Sequence, residues 1–279
     1  MKPVCPFFMG VFSIMSKKSQ SWKSIEPSRI SAVILAAGLG KRMKSNKAKV
    51  LHEILGIPMV MYVIHAAKEI TGENVICVVG NQAEEVKKTV SARAQIFFVL
   101  QERQLGTGHA VLSVIPHLPK ETEEVMILSG DVPLLSVATL RALVEDHRTF
   151  DRDLTILGAR LENPTGYGRI LYDADRNVTA IVEEADAQDD QKRINVINAG
   201  TYCVKRIFLA DALKQLRPDN AQGEFYLTDI IGIGYRAKKK IGVVIGDDPT
   251  EVLGVNTPED LDRVEAILKA SNRKSVDFI

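Results

Sequence analysis

The residues best suited to chemistry in this chain lie between Ala32 and Leu51, AVILAAGLGKRMKSNKAKVL. A short apolar run gives way to Gly38 and Gly40, and a cluster of cations follows from Lys41 to Lys49. This is the pattern of a buried strand feeding a phosphate loop. Glycines let the backbone approach an anion, and successive free N–H groups in such a turn form a concavity of positive potential, to which Arg42 and Lys49 add mobile charge. Two common nucleotide loops do not fit. G-x-x-x-x-G-K-[ST] fails because Arg42 follows Lys41, and G-x-G-x-x-G fails because Met43 stands where the third glycine belongs. An ordinary tight turn would account for the glycines but not for the excess of cations behind them.

The elements that must position this loop are legible as an alternation. Pro58 opens a helical pattern that ends at Gly72, and Val75 to Val79 is a continuous apolar strand. Glu84 to Val90 reads as a helix, Ile96 to Leu100 as a strand, His109 to Ile115 as a helix, Val125 to Leu128 as a strand and Val137 to His147 as a helix. Apolar strands separated by amphipathic helices indicate an α/β fold, doubly wound, with a mostly parallel sheet covered on both faces. In such sheets the ligand lies outside the carboxyl ends of the strands, where AAGLGKR, QERQLGTG and SGDVPL fall.

From Leu154 the texture changes to alternating residues around turn signals, expected to form a β-rich half of strands and hairpins that covers the site. INAGTYCV, IGVVIG and EVLGV read as strands, and Ile207 to Leu216 and Tyr226 to Tyr235 as helices. A last amphipathic helix starts at Thr257, with Pro258 at its first position and Glu259 and Asp260 in its first turn. No tandem repeat is present, and no hexapeptide run of the β-helix kind. The expected organisation is an extension over 1–29, a catalytic domain over 30–256 divided near residue 150, and a helix and tail over 257–279.

The 279 residues, 46% hydrophobic and 25% charged, suit a globular protein of one or two domains. With 36 Lys and Arg against 35 Asp and Glu, the net charge of +1 gives no global field toward nucleic acid or an anionic membrane. Any phosphate must therefore be gripped locally. Cys5, Cys77 and Cys203 lack metal-ligand spacing, and the last two sit in apolar runs as buried small hydrophobes, which suits a reducing cytoplasm. The apolar start, MKPVCPFFMGVFSIM, is interrupted by Pro3 and Pro6 and followed by no small-residue cleavage site, so a disordered extension, or a start at Met15, is expected rather than a signal peptide. No segment has the length of uninterrupted apolar sequence that a membrane span needs.

Read together, LAAGLGKRMKSNKAKVLH, LQERQLGTGHA, LSGDVPLL, PTGYGRI, IVEEADA, INAGTY, NAQGEFYLTDI and GVNTPEDL resemble the uridyltransferase domain of the bacterial N-acetylglucosamine-1-phosphate uridyltransferases, in order and spacing, from about Ile30 to Leu268. The resemblance implies a nucleotidyltransferase fold and a reaction in which UTP and N-acetylglucosamine 1-phosphate give UDP-N-acetylglucosamine and pyrophosphate. It places Leu35, Ala36, Ala37 and Gly38 against the nucleotide, Arg42 and Lys49 against its phosphates, Gln101, Gly106 and Thr107 at the uracil, and Ser129 and Gly130 beside the nucleotide. Asp131 and Asn256 would be the protein ligands of Mg²⁺; Gly168, Glu183 and Asn198, with Asn256, would meet the sugar. The alternative for Asn256 is a cap on the last helix, and of the neighbours Glu183 and Glu184 one must face away. One position departs from the family, which usually has proline before the lysine where this chain has Ala48, so a less rigid loop is expected.

The implied chemistry suits these residue types. The attacking phosphate oxygen is already anionic, so no nucleophilic side chain and no general base is required; cations and a metal aimed at developing charge do the work. An amide such as Gln101 can both donate to and accept from a uracil edge, and a glycine admits the ring. The family's acetyltransferase β-helix is not within this sequence, so uridylyl transfer alone is expected, without an acetyl-coenzyme A site. The competing readings are a uridylyltransferase for another sugar 1-phosphate and a metal-dependent glycosyltransferase. Against the latter, its usual paired aspartates are missing, since Asp131 lies between Gly130 and Val132.

Overall fold

In the computed structural model, which describes residues 29–270, the run ISAVILA forms β1 (Ile30–Ala36), and its burial determines the layers around it. The expectations for residues 1–28, Cys5 included, and for 271–279 lie outside the described residues. Successive side chains of a strand point to opposite faces. Ala32, Ile34 and Ala36 therefore enter one apolar layer and Val33 the other.

After the loop come a two-strand hairpin, β2 (Glu53–Ile54) and β3 (Ile57–Pro58), then α1 (Met59–Thr71), β4 (Val75–Val79), α2 (Ala83–Ser91) and β5 (Phe97–Leu100). Next follow α3 (Thr107–Val114), β6 (Glu124–Ser129) and α4 (Val137–Thr149). The remainder comprises β7 (Leu154–Arg160), β8 (Arg169–Tyr172), β9 (Val178–Val182), α5 (Asp189–Lys192), β10 (Val196–Lys205), α6 (Arg206–Leu213), α7 (Asp229–Arg236), β11 (Ile241–Ile245) and α8 (Pro258–Ala270).

The main sheet runs β11-β7-β10-β6-β1-β4-β5, with β8 attached to β10 and β9 to β8. β1 pairs in parallel with β4 and β6, β4 with β5, and β7 with β11, while β10 is antiparallel to β6 and β7. The sheet is mostly parallel, and the strands after residue 150 continue it. The chain runs outward from β1 through β4 and β5, then returns to the other side of β1 at β6. The carboxyl ends of β1 and β6 therefore flank a topological switch point, where open α/β sheets bind ligands.

Helices α1 and α4 cover one face through Val60, Ile64, Leu140 and Leu143. Helices α3, α6 and α7 cover the other through Val111, Val114, Leu209, Leu213 and Ile230. Cys77 and Cys203 are fully buried, and burial pushes the Cys77 thiol up to about 12, so neither supplies a thiolate nucleophile.

Two expected elements differ. EVLGV is not a strand: Asp248 caps a short 3-10 helix with Pro249 in its first turn (Pro249–Val252), and the buried Glu251 carboxylate takes the Ser136 N–H and the Thr139 hydroxyl. Alternation alone does not reveal a cap. The helix expected from Tyr226 begins only at Asp229, because the backbone before it is engaged elsewhere. Phe225 donates its N–H to the Leu105 carbonyl and accepts from the Gly108 N–H, both at 2.8 Å.

A third apolar cluster joins Met43 of the glycine loop to Ile54, Met59, Leu134, Val255, Val264 and Leu268. Met43 is 3% exposed, which explains the hydrophobe where a dinucleotide loop would have glycine. This cluster ties the loop to α8 and to the segment before it. Met43→Ala is expected to cost about 2–5 kcal/mol of stability and Met43→Leu less than about 1.5 kcal/mol. Equilibrium denaturation in urea checks the pair, and equal stability of the two variants would contradict the packing described.

Candidate active site

A cleft of about 470 Å³, a volume typical of small-molecule sites, opens at the switch point. Leu35, Ala36, Ala37 and Gly38 line it at the end of β1, and Gln101, Gly106, Thr107 and Ser129 line it further round, with Arg42, Lys49, Asp131 and Asn256 also in its wall. Gly130 stands behind this wall, its N–H donating to the Leu35 carbonyl at 2.9 Å. The glycines differ in what they permit. A Cβ on Gly38 would meet nothing within 4 Å, so the backbone there is open to a ligand. Gly40 has φ of +60°, and a Cβ there would sit 2.7 Å from the Lys49 Cβ, so this glycine lets the lysine pass.

Lys49 carries its ammonium to a point between Asp131 Oδ2, in an ion pair, and Asn256 Oδ1, at 2.7 Å. Arg42 donates to the same Asn256 oxygen at 2.8 Å. The Asp131 carbonyl accepts the Val255 N–H at 2.9 Å, so Asn256 is held by its neighbour as well as by its side chain. The cap of α8 is Thr257, whose hydroxyl accepts the Asp260 N–H at 3.2 Å, while the Asp260 carboxylate takes the N–H groups of Asn256 and Thr257 at 2.9 Å. That leaves the Asn256 side chain for the cleft. Two hard oxygens therefore converge on a single cationic centre, a donor set that fits Mg²⁺. Among the described residues no group of three His, Cys, Asp or Glu side chains forms a metal cage. Ala48, where proline was the family expectation, has φ −54° and ψ 133°, the backbone a proline would adopt.

At the other end of the cleft, Gln101 is 3% exposed. Its Nε2 lies 3.1 Å from the Gly106 carbonyl and 3.1 Å from His109 Nδ1. The amide's donor side is thus spent inside the protein, which corrects the reading that Gln101 both donates to and accepts from a base. Gly106 needs its φ of +109° for a different reason from the one expected: a Cβ would meet the Phe225 oxygen at 2.6 Å, so the missing side chain admits backbone on that side, not a ring. Thr107 Oγ1 accepts the Leu227 N–H at 3.1 Å.

Gly168, Glu183 and Asn198 lie together but outside the lining of this cleft. A Cβ on Gly168 would meet Ile181 Cγ2 at 2.8 Å and Glu183 Oε2 at 3.2 Å, and the Gly168 carbonyl accepts the Asn198 N–H at 2.9 Å. Asn198 sits where β10 loses register with β7, a bulge of the kind that re-aims side chains beside active sites. Its amide accepts from the Gly200 N–H at 3.1 Å and donates to the Tyr202 hydroxyl at 2.7 Å. The same bulge brings Gly200 to Ser129, since a Cβ there would be 3.1 Å from the serine hydroxyl. Glu183 and Glu184 do diverge: Glu184 pairs with the buried Arg169 at 2.7 Å, while Glu183 accepts from the Thr228 hydroxyl at 3.0 Å. Burial raises the Glu183 pKa, with the Thr228 bond opposing and Asp186 and Asp229 reinforcing.

Sequence reasoning passes over Leu39 and Gln104, which also line the cleft, and leaves out Glu224, which lines it too, and Thr228, which holds Glu183. The signal for the last two was QGEFYLTD, whose helical reading concealed that it lies against the loop before α3.

The chain matches the MobA-like NTP transferase domain family over residues 32–218. It is 43% identical over 251 residues to a bifunctional protein GlmU of Geotalea uraniireducens, an alignment covering 88% of this chain and 54% of that protein. A bifunctional protein GlmU of Desulfotalea psychrophila is 41% identical over 247 residues, covering 88% of this chain and 73% of that one. The chain thus spans about half the length of several of these curated relatives. Among solved structures, a provisionally named glucose-1-phosphate thymidylyltransferase from Bacillus anthracis superimposes with a TM-score of 0.67 at 18% identity, covering 85% of this chain and 94% of that one, a likeness of fold. With its glycine loop, its cleft at the switch point and this match over most of the described chain, the protein belongs to the MobA-like NTP transferase family and is a nucleotidyltransferase.

Proposed function

We propose that this chain transfers UMP from UTP to N-acetylglucosamine 1-phosphate, giving UDP-N-acetylglucosamine and pyrophosphate. The observation that carries the reading is the convergence of Lys49 and Arg42 with Asp131 and Asn256 at the mouth of the glycine-lined cleft, from segments as far as 214 residues apart. The likeness to GlmU proteins and the motifs from LGTGHA to GVNTPEDL support uridine and N-acetylglucosamine as the partners.

In this reading the backbone at Leu35 to Gly38 receives the nucleotide phosphates, and Gln101, Gly106 and Thr107 flank the base. Ser129 and Gly130 close the nucleotide side. The sugar 1-phosphate enters from the Gly168, Glu183 and Asn198 side, with Glu183 accepting from sugar hydroxyls. An oxygen of the sugar phosphate attacks the α-phosphorus of UTP, the bond to the β-phosphate oxygen breaks, and pyrophosphate leaves. Arg42 and Lys49 meet the charge that builds on the leaving group, and no proton needs to be removed from the attacking oxygen. Asp131 and Asn256 would hold Mg²⁺, which would supply neutralisation of the phosphate charge. Lys49 would then exchange its contacts with those two side chains for the substrate phosphates.

The deciding experiment is pyrophosphate release from each nucleoside triphosphate against a panel of sugar 1-phosphates; turnover confined to other pairs would overturn the assignment. EDTA should abolish turnover, and Asp131→Ala should lower kcat by at least roughly a hundredfold, the order for losing a charge stabiliser of the transition state. An active Asp131→Ala enzyme would refute the metal assignment. Lys49→Ala should weaken catalysis by a similar factor with every sugar 1-phosphate accepted, since its contact does not involve the sugar ring; a loss specific to one sugar would count against it. Asn198 also holds the β10 bulge, so Glu183→Gln is the cleaner probe of the sugar side. It should raise the KM for N-acetylglucosamine 1-phosphate by roughly tenfold while UTP binding holds, and by a similar factor for glucose 1-phosphate, since the hydroxyls it meets are common to both sugars. An unchanged KM for both sugar 1-phosphates would remove Glu183 from the sugar site.

A further inference from the structure

We propose that His109 is a positioning residue for base selection: through Nδ1 it fixes the Gln101 amide so that only its carbonyl oxygen is presented to the base, favouring pyrimidines that carry an N–H at position 3. The inference rests on the reading above that Gln101 meets the base.

The orientation of the amide follows from its partners. A backbone carbonyl can only accept, so the Gln101 atom 3.1 Å from the Gly106 oxygen has to be the nitrogen; the reverse orientation would oppose two oxygens with no proton between them. The second hydrogen of Nε2 points to His109 Nδ1 at 3.1 Å. That nitrogen must then offer a lone pair, which makes His109 a neutral imidazole with its proton on Nε2. Both anchors are themselves held. The Gly106 carbonyl also accepts the Ala110 N–H at 3.1 Å, in the first turn of α3. The His109 ring lies beside the Phe225 ring, centroids 6.4 Å apart, and the Phe225 backbone is bonded to Leu105 and Gly108. The Gln101 main chain is fixed too, its N–H on the Val79 carbonyl at 2.7 Å and its own carbonyl accepting from Gln104 at 3.0 Å.

What remains to Gln101 is Oε1, an acceptor on a residue that lines the cleft and is otherwise 3% exposed. Uracil and thymine present an N3–H that this oxygen can accept. Cytosine presents a lone pair at N3, so two acceptors would face each other and one buried polar atom would go unpaired. An amide free to turn could meet cytosine with its NH₂ group instead. Discrimination therefore depends on holding the amide still, which is the part that His109 plays from outside the cleft lining.

The test compares kcat/KM for UTP and for CTP, with the same sugar 1-phosphate, in the wild type, His109→Phe, His109→Asn and Gln101→Ala. Phenylalanine keeps the ring beside Phe225 and removes the acceptor, and asparagine can return an acceptor oxygen near the Nδ1 position. His109→Phe should reduce the preference for UTP over CTP by roughly tenfold, the worth of one hydrogen bond in a closed site, with the loss for UTP carried mainly by KM. His109→Asn should recover most of the preference. If Gln101→Ala loses the preference and His109→Phe keeps it, Gln101 reads the base unaided and the role of His109 is overturned alone. If Gln101→Ala keeps the preference, the base-reading assignment falls and this inference with it. A measurement on the wild type does not depend on the variants folding: ¹⁵N NMR of the imidazole should show Nδ1 unprotonated near neutral pH, and a proton on Nδ1 would overturn the proposal.

Discussion

The ammonium of Lys49, shared by the Asp131 carboxylate and the Asn256 amide oxygen, is the contact around which the rest of this structure is arranged. A carboxylate and an ammonium brought partly out of water lose hydration, and the loss is offset only when each finds a partner with good geometry. Here each does, and Asn256 supplies a neutral oxygen that also accepts from Arg42. The result is a cluster in which charges of both signs are held close; in the proposed reaction Lys49 would leave these two oxygens for the substrate phosphates.

Three features of the fold make that contact possible. The parallel strands β1 and β6 end side by side, and the Gly130 N–H bonded to Leu35 fixes the turn that leads to Asp131. Gly40 lets the loop come back over Lys49 without a Cβ in the way. The apolar cluster of Met43, Val255, Val264 and Leu268 then closes the far side, so the helix that follows Asn256 packs against the loop that carries Arg42. Hydrophobic burial, which is non-directional, supplies the attachment; the hydrogen bonds supply the direction.

The surroundings of Gln101 and of Asn198 obey a different constraint, the satisfaction of buried polar groups. The segment from Glu224 to Thr228 is irregular because its backbone is committed to Leu105, Thr107 and Gly108, and through Thr228 it reaches Glu183. Gln101 is turned by Gly106 and His109, and Asn198 by its own bulge. Gln101 and Asn198 are turned by partners only two to eight residues away, but ones the chain reaches by leaving the regular strand, so their available donors and acceptors follow from those neighbours and not from residue type alone.

The amino-acid sequence by itself determined the alternation of apolar strands and amphipathic helices, hence the mostly parallel sheet, and it placed the unusual residues at strand ends, because burial on both faces leaves a periodicity in the chain. The cluster of cations behind Gly38 and Gly40 was legible for the same local reason. The resemblance to a known family named Asp131, Asn256, Glu183 and Asn198, yet their partners were not legible. That Lys49 bonds Asp131 and Asn256 and that Gly106 makes room for the Phe225 backbone were decided by tertiary structure alone, whereas the Thr257 cap of α8 and the Asp248 cap that makes EVLGV a turn are local hydrogen bonds that strand and helix periodicity does not record. The physical reason is common to the first two. Each depends on a hydrogen bond or close approach whose geometry is created only when segments remote in sequence are brought together by packing, and no periodicity within one segment records which partner the other segment will present.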